Sequence, residues 1–125
     1  MTKRGQTTDT GGPLERANRI ILLGDYYGRL LTERQREILS LHYESDLSLG
    51  EVGELLGVSR QAVHDLLSRA EESLEDYEAR LGLVARDAAT RRLVAALARA
   101  VSSLEPSHPL KPRLNRLIKR LKARF

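Results

Sequence analysis

The 125-residue chain contains no cysteine, which excludes disulfide bonds, thiolate metal ligation and thiol catalysis and suits a reducing compartment. No apolar run approaches the roughly 20 residues that a membrane-spanning helix needs. The polar start Met1-Thr2-Lys3-Arg4-Gly5-Gln6 leads into no hydrophobic signal segment, so the expectation is a cytoplasmic protein without stable membrane insertion. Proline is scarce and concentrated: Pro106, Pro109 and Pro112 fall within seven residues and break the chain there. Aromatic residues are few, and Tyr26, Tyr27, Tyr43 and Tyr77 are expected at core edges rather than as stacking platforms. His42, His64 and His108 stand on separate elements without metal-ligand spacing, and there is no glycine-rich phosphate loop and no distinguished carboxylate pair. No catalysis, metal or cofactor is expected.

The formal net charge is +4, which points to an anionic partner, but the charge is unevenly placed. Residues 1–70 hold nine Lys/Arg against ten Asp/Glu, residues 71–105 five against seven, and residues 106–125 seven against none. The whole basic excess therefore lies in the last twenty residues.

What the sequence does contain is a helix-turn-helix pattern over residues 47–67. Ser48 and Glu51 make a Ser-x-x-Glu capping box, and Val52, Leu55 and Leu56 follow at helical spacing for a buried face. Gly57 ends this helix in the left-handed conformation, Val58 plugs the turn, and Ser59 caps a second helix. Ala62, Val63, Leu66 and Leu67 form the inner face of that helix; Arg60, Gln61, His64, Asp65 and Ser68 form the outer one. Gly53 and Gly57 stand where two crossing helices approach closely.

Around this motif the pattern is all-α. Residues 1–14 are expected to be a disordered tail, 15–83 the helix-turn-helix domain and 84–125 a C-terminal helical extension. A first helix over 16–30 presents Ile20, Ile21, Leu23, Tyr26, Tyr27 and Leu30, with close packing expected at Gly24 and Gly28. Thr32 caps a second helix that ends near Glu44-Ser45-Asp46. The second helix of the motif continues to Leu81, where Gly82 stops it, and its acidic run Glu71, Glu72, Glu75, Asp76 and Glu78, which would repel DNA phosphates, is expected to be a solvated face, the alternative being that this end of the helix packs on the first helix or a second subunit. A helix over 84–104 carries Leu93, Leu97, Ala100 or Val101, and Leu104 at helical spacing, with Val94 and Ala98 filling in. A last, basic amphipathic helix over 113–124 sets Leu110, Leu114, Leu117, Ile118, Leu121 and Phe125 on one stripe.

The stretch from Leu31 to Tyr43 followed by Ser48 to Leu67 resembles region four of bacterial sigma factors. More closely, residues 16–81 resemble the YlxM-like family of small bacterial helix-turn-helix proteins. The matching residues are Asp25-Tyr26-Tyr27, Leu30-Leu31-Thr32-Glu33-Arg34-Gln35, Tyr43, Asp46-Leu47-Ser48-Leu49, Gly57-Val58-Ser59-Arg60-Gln61-Ala62-Val63 and Leu74-Glu75-Asp76-Tyr77-Glu78 with Leu81. The resemblance implies an all-helical fold, DNA binding, and an accessory or regulatory part in the signal recognition particle pathway beside its GTPases.

Two binding surfaces follow. If the second helix of the motif enters a major groove, Arg60, Gln61 and His64 reach base edges, while Ser59, the backbone N–H groups at the helix start and Arg69 hold phosphates. The small number of cations there calls for a homodimer or for help from the basic tail. Alternatively, Lys111, Arg113, Arg116, Lys119, Arg120, Lys122 and Arg124 engage an acidic partner, namely structured RNA such as that of the signal recognition particle, a protein surface or anionic lipid, and the motif is scaffold. Whether the last helix docks on the core or stands available for a partner, and whether DNA or RNA is the ligand, stay open at the level of sequence.

Overall fold

The computed structural model describes residues 12–124. Six α-helices account for most of them, with no strand among the described residues: α1 (Gly12–Tyr27), α2 (Glu33–Leu39), α3 (Leu49–Leu56), α4 (Arg60–Leu81), α5 (Leu83–Ser102) and α6 (Lys111–Lys122). A 3-10 turn (Gly28–Leu30) follows α1, and a π-helical turn (Ser40–Glu44) continues α2. The chain separates into two compact units, one ending at Leu81 and the other beginning at Gly82. Among the described residues no helix is long and apolar enough to cross a membrane.

The ends of the helices are written locally. Thr32 accepts from the Gln35 N–H at 3.1 Å while the Gln35 side chain accepts from the Thr32 N–H at 3.0 Å. Ser48 and Glu51 form the same reciprocal box at 3.1 and 2.8 Å. Each box satisfies two donors that a helix start leaves without intrahelical partners. Gly57 ends α3 at φ 72°, and Gly82 stands at φ 62° between α4 and α5, both in the left-handed region that glycine enters without steric cost.

In the first unit α4 packs against α1, α2 and α3. Its inner stripe, Val63, Leu67, Ala70 and Leu74, meets Ile20, Leu23 and Tyr27 from α1, Leu31, Ile38 and Leu39 from the α2 region, and Val52 from α3, all buried. The acidic run of α4 is not simply a solvated face. Glu71, with only 13% of its side chain exposed, accepts from Arg16 at 3.0 Å and from the Tyr43 hydroxyl. Glu75 binds Arg19 through two N–H groups at 2.6 and 2.8 Å, and Glu78 accepts from Tyr27 at 2.5 Å. Three carboxylates thus tie α4 to α1 and the π turn, while Glu72 and Asp76 face water.

Several expectations change. The expected tail falls on residues 1–11, which lie outside the described residues, and on residues 12–14, which belong to α1 with Pro13 in the first turn, where a missing N–H costs nothing. Nothing lies within 4 Å of a Cβ placed at Gly24 or Gly28, so neither marks a close helix contact. Instead they leave room for a cleft of about 230 Å³ whose walls include Ile20, Leu31, Leu39 and Tyr43. Leu55 is 63% exposed because α3 turns Val52 and Gly53 inward. The last helix begins at Lys111, so Pro112 is tolerated in its first turn.

In the second unit α5 packs on α6 around Val94, Val101 and Ile118, with Ala98, Leu104 and Leu114 against them. Leu93 and Leu97 are not part of this core.

Gly53 is the position where a close approach does require glycine: a Cβ there would stand 2.7 Å from the Val58 carbonyl oxygen, inside the motif's turn. Gly53→Ala is expected to destabilise the fold by about 1–3 kcal/mol despite the helix propensity it adds. Gly24→Ala, with open space around it, is expected to gain about 0.5–1 kcal/mol. Urea unfolding of the two variants checks the opposite signs.

Burial, then the hydrogen bond to and the charge of Glu71, raise the Tyr43 phenol above the ordinary tyrosine range. The fold therefore holds the protonated phenol. Its contribution is fully present below about pH 10, where an unfolded tyrosine titrates, and is lost as pH rises through the raised folded value. Unfolding free energy measured against pH should fall more steeply above that point in the wild type than in Tyr43→Phe.

Candidate nucleic-acid interface

The motif forms as a unit around its turn. The Gly57 and Val58 N–H groups both return to the Gly53 carbonyl, that of Val58 at 3.0 Å, and half-buried Val58 fills the corner. Ser59 then accepts from the Ala62 N–H at 3.0 Å and starts α4. This cap fixes the first turn of α4, whose backbone N–H groups point outward from a positive helix end.

Arg60, Gln61 and His64 are exposed on that first turn and share one side of it. Arg60 brings a planar guanidinium fork and Gln61 an amide, the donor sets that fit guanine and adenine edges. Exposed Asp65 organises this surface: it accepts from Gln61 Nε2 at 3.1 Å and stands 3.6 Å from His64 Nδ1. The Gln61–Asp65 spacing of four residues is a helical pair within the expected outer face. Arg69 is exposed but does not join the group, since helical geometry places it about 13 Å farther along the axis and on another flank of α4.

The other histidines have local roles. His42 Nδ1 lies 2.9 Å from the Leu47 carbonyl, in the loop where Asp46 takes φ 61°. His108 Nδ1 accepts from the Leu110 N–H at 3.1 Å in the turn before α6. Among the described residues no group of three or more His, Cys, Asp or Glu is placed to hold a metal ion.

The seven basic residues of the C-terminal segment divide by position. Lys111 donates to the Leu104 carbonyl at 3.0 Å and to that of Ser102 at 3.5 Å, so it caps the C-terminal end of α5. Lys122 lies beside Arg91, Val94 and Ala95 of α5. Arg113, Arg116, Lys119, Arg120 and Arg124 are exposed.

Charge divides along the same boundary as the fold. Residues 12–81 hold eight Lys/Arg and fourteen Asp/Glu; residues 82–125 hold eleven and two. The motif is thus carried by an acidic unit, and of that unit's eight cations only Arg60 stands at the start of α4.

Residues 14–110 match the family model described as "Putative helix-turn-helix protein, YlxM / p13 like". The match ends just before α6. A UPF0122 protein of Desulforamulus reducens is 58% identical over 69 residues, 55% of this chain and 59% of its own length. One from Caldanaerobacter subterraneus is 60% identical over 63 residues, 50% of this chain and 54% of its own. One from Symbiobacterium thermophilum is 48% identical over 89 residues, 71% of this chain and 83% of its own. The chain thus spans little more than half the length of the first two of these relatives. With most of its residues matched, in the fold that the description names, the chain belongs to the UPF0122 family of YlxM/p13-like helix-turn-helix proteins.

Proposed function

We propose that the protein is a non-catalytic nucleic-acid-binding factor that reads duplex DNA with the first turn of α4. The observation that carries this reading is the exposed trio Arg60, Gln61 and His64 on a helix start fixed by Ser59. In a major groove about 12 Å wide, Arg60 and Gln61 face base edges and Ser59 with the neighbouring N–H groups holds a phosphate. Arg69, on another flank and two and a half turns along, reaches the backbone across the groove.

An acidic unit cannot rely on counterion release, so affinity comes from few, well-placed contacts and from a second copy of the chain on an adjacent half-site. Resemblance to the YlxM-like proteins supports placing this activity in the cytoplasm, as an accessory or regulatory function of the signal recognition particle pathway beside its GTPases.

Duplex binding is expected to show a shallow salt dependence, with a log–log slope of about −2 to −3 per protomer, the signature of two or three neutralised phosphates. Arg60→Ala with Gln61→Ala should remove sequence selectivity, each change costing about 1–3 kcal/mol at its own base pair. Arg69→Ala should weaken all sequences alike and reduce the slope by about 1. Selectivity unchanged by the Arg60/Gln61 pair would end the DNA reading. Binding of signal recognition particle RNA lost in Arg116→Glu with Lys119→Glu, and indifferent to Arg60 and Gln61, would move the nucleic-acid site to α6.

A further inference from the structure

The second unit leaves leucines in water. Outside its small core, Leu93 is 70% exposed, Leu97 44%, Leu117 46% and Leu121 42%. Their positions follow from helical spacing. Arg91 and Ala95 of α5 lie with Lys122 of α6 on one side of the hairpin. At about 100° per residue, Leu93 and Leu97 fall on the opposite flank of Val94 from Arg91 and Ala95, and Leu117 and Leu121 on the opposite flank of Ile118 from Lys122. The four leucines therefore share the other face. On α6 the same spacing sets Arg113, Arg120 and Arg124 along the outer edge of the leucines, and a shallow depression lined by Leu117, Leu121, Arg120 and Arg124 opens there. No Asp or Glu occurs between residues 106 and 125.

We propose that this face adsorbs to an anionic lipid bilayer, with α5 and α6 lying in the plane of the surface, the leucines at the acyl boundary and the arginines on headgroup phosphates. The composition selects this occupant. A second copy placed on the same face would bring one seven-cation segment against another, with no carboxylate on either. A nucleic acid satisfies the arginines but leaves the leucine row in water. An anionic bilayer supplies negative charge and an apolar layer directly beneath it, which is what a basic amphipathic helix with exposed leucines fits. Adsorption is superficial and reversible, since neither helix is long and apolar enough to cross.

The test is flotation of the full chain with vesicles of phosphatidylcholine alone and of phosphatidylcholine mixed equally with phosphatidylglycerol, at low and high salt. Binding is expected only to the mixed vesicles and to fall with salt. Leu117→Gln with Leu121→Gln should weaken it about tenfold or more, and Arg120→Glu with Arg124→Glu should abolish it. Because all four side chains are exposed, both double variants should keep the wild-type helical content and melting temperature. Failure to float with the mixed vesicles, equal binding to phosphatidylcholine alone, or a leucine variant that binds like wild type would each overturn the proposal. Arginine-dependent binding of structured RNA by a chain that ignores the mixed vesicles would assign the face to RNA.

Discussion

The first unit depends on one stripe: Val63, Leu67, Ala70 and Leu74, spaced four, three and four residues apart along α4 and all buried. That spacing keeps one face of a 22-residue helix turned inward for three turns. Its first turns receive α3 and close the helix-turn-helix, and its later turns receive α1 and the α2 region. A single rigid element therefore both presents the candidate reading residues and carries the core that holds them. A polar change at Leu67 or Leu74 would disturb the motif from a distance, because the position of Arg60 is set by how α4 sits on its neighbours.

The carboxylates on the second half of α4 belong to the same arrangement. Left in water they would add only like-charge repulsion along one helix. Set against Arg16, Arg19, Tyr27 and Tyr43, they fix the register of α1 and the π turn on α4. Exposed ion pairs contribute about 0–1 kcal/mol each, so the half-exposed Arg19–Glu75 pair adds specificity more than stability. Glu71 is different in kind, because it is largely buried and shared between a guanidinium and a phenol. Losing either partner leaves a carboxylate without part of its compensation.

What was legible in the sequence was local. Thr32 with Gln35, Ser48 with Glu51, Gly57, Ser59 and Gly82 act over three or four residues, so their neighbours in sequence are their partners in space. Side-chain burial was less legible, because helical spacing gives a face but not its width. Leu55 fits the stripe of α3 yet stands outside it, and of the α5 positions that helical spacing offered, Val94 and Val101 are buried while Leu93 and Leu97 are exposed. Gly24 and Gly28 suggest close packing by composition; whether a neighbour fills the space is a tertiary fact, and here a cleft does. Lys111 reads as one more cation in a basic run, and only the turn between α5 and α6 makes it a helix cap.

The segregation of charge bears on how such a protein meets an anionic polymer. Non-specific attraction to DNA is almost entirely electrostatic, and the unit that carries the motif has fourteen acidic residues to eight basic ones between 12 and 81. On the proposed DNA reading, such a unit gains little from counterion release on duplexes in general, so selectivity rests on the first turn of α4. The positive charge is placed instead on a two-helix unit whose arginines border leucines, a combination suited to a charged surface with an apolar layer under it. The residues of the two proposals thus lie on different helices, Arg60 and Gln61 on α4 and Arg120 and Arg124 on α6, so substitutions of one set test one proposal and those of the other set test the other.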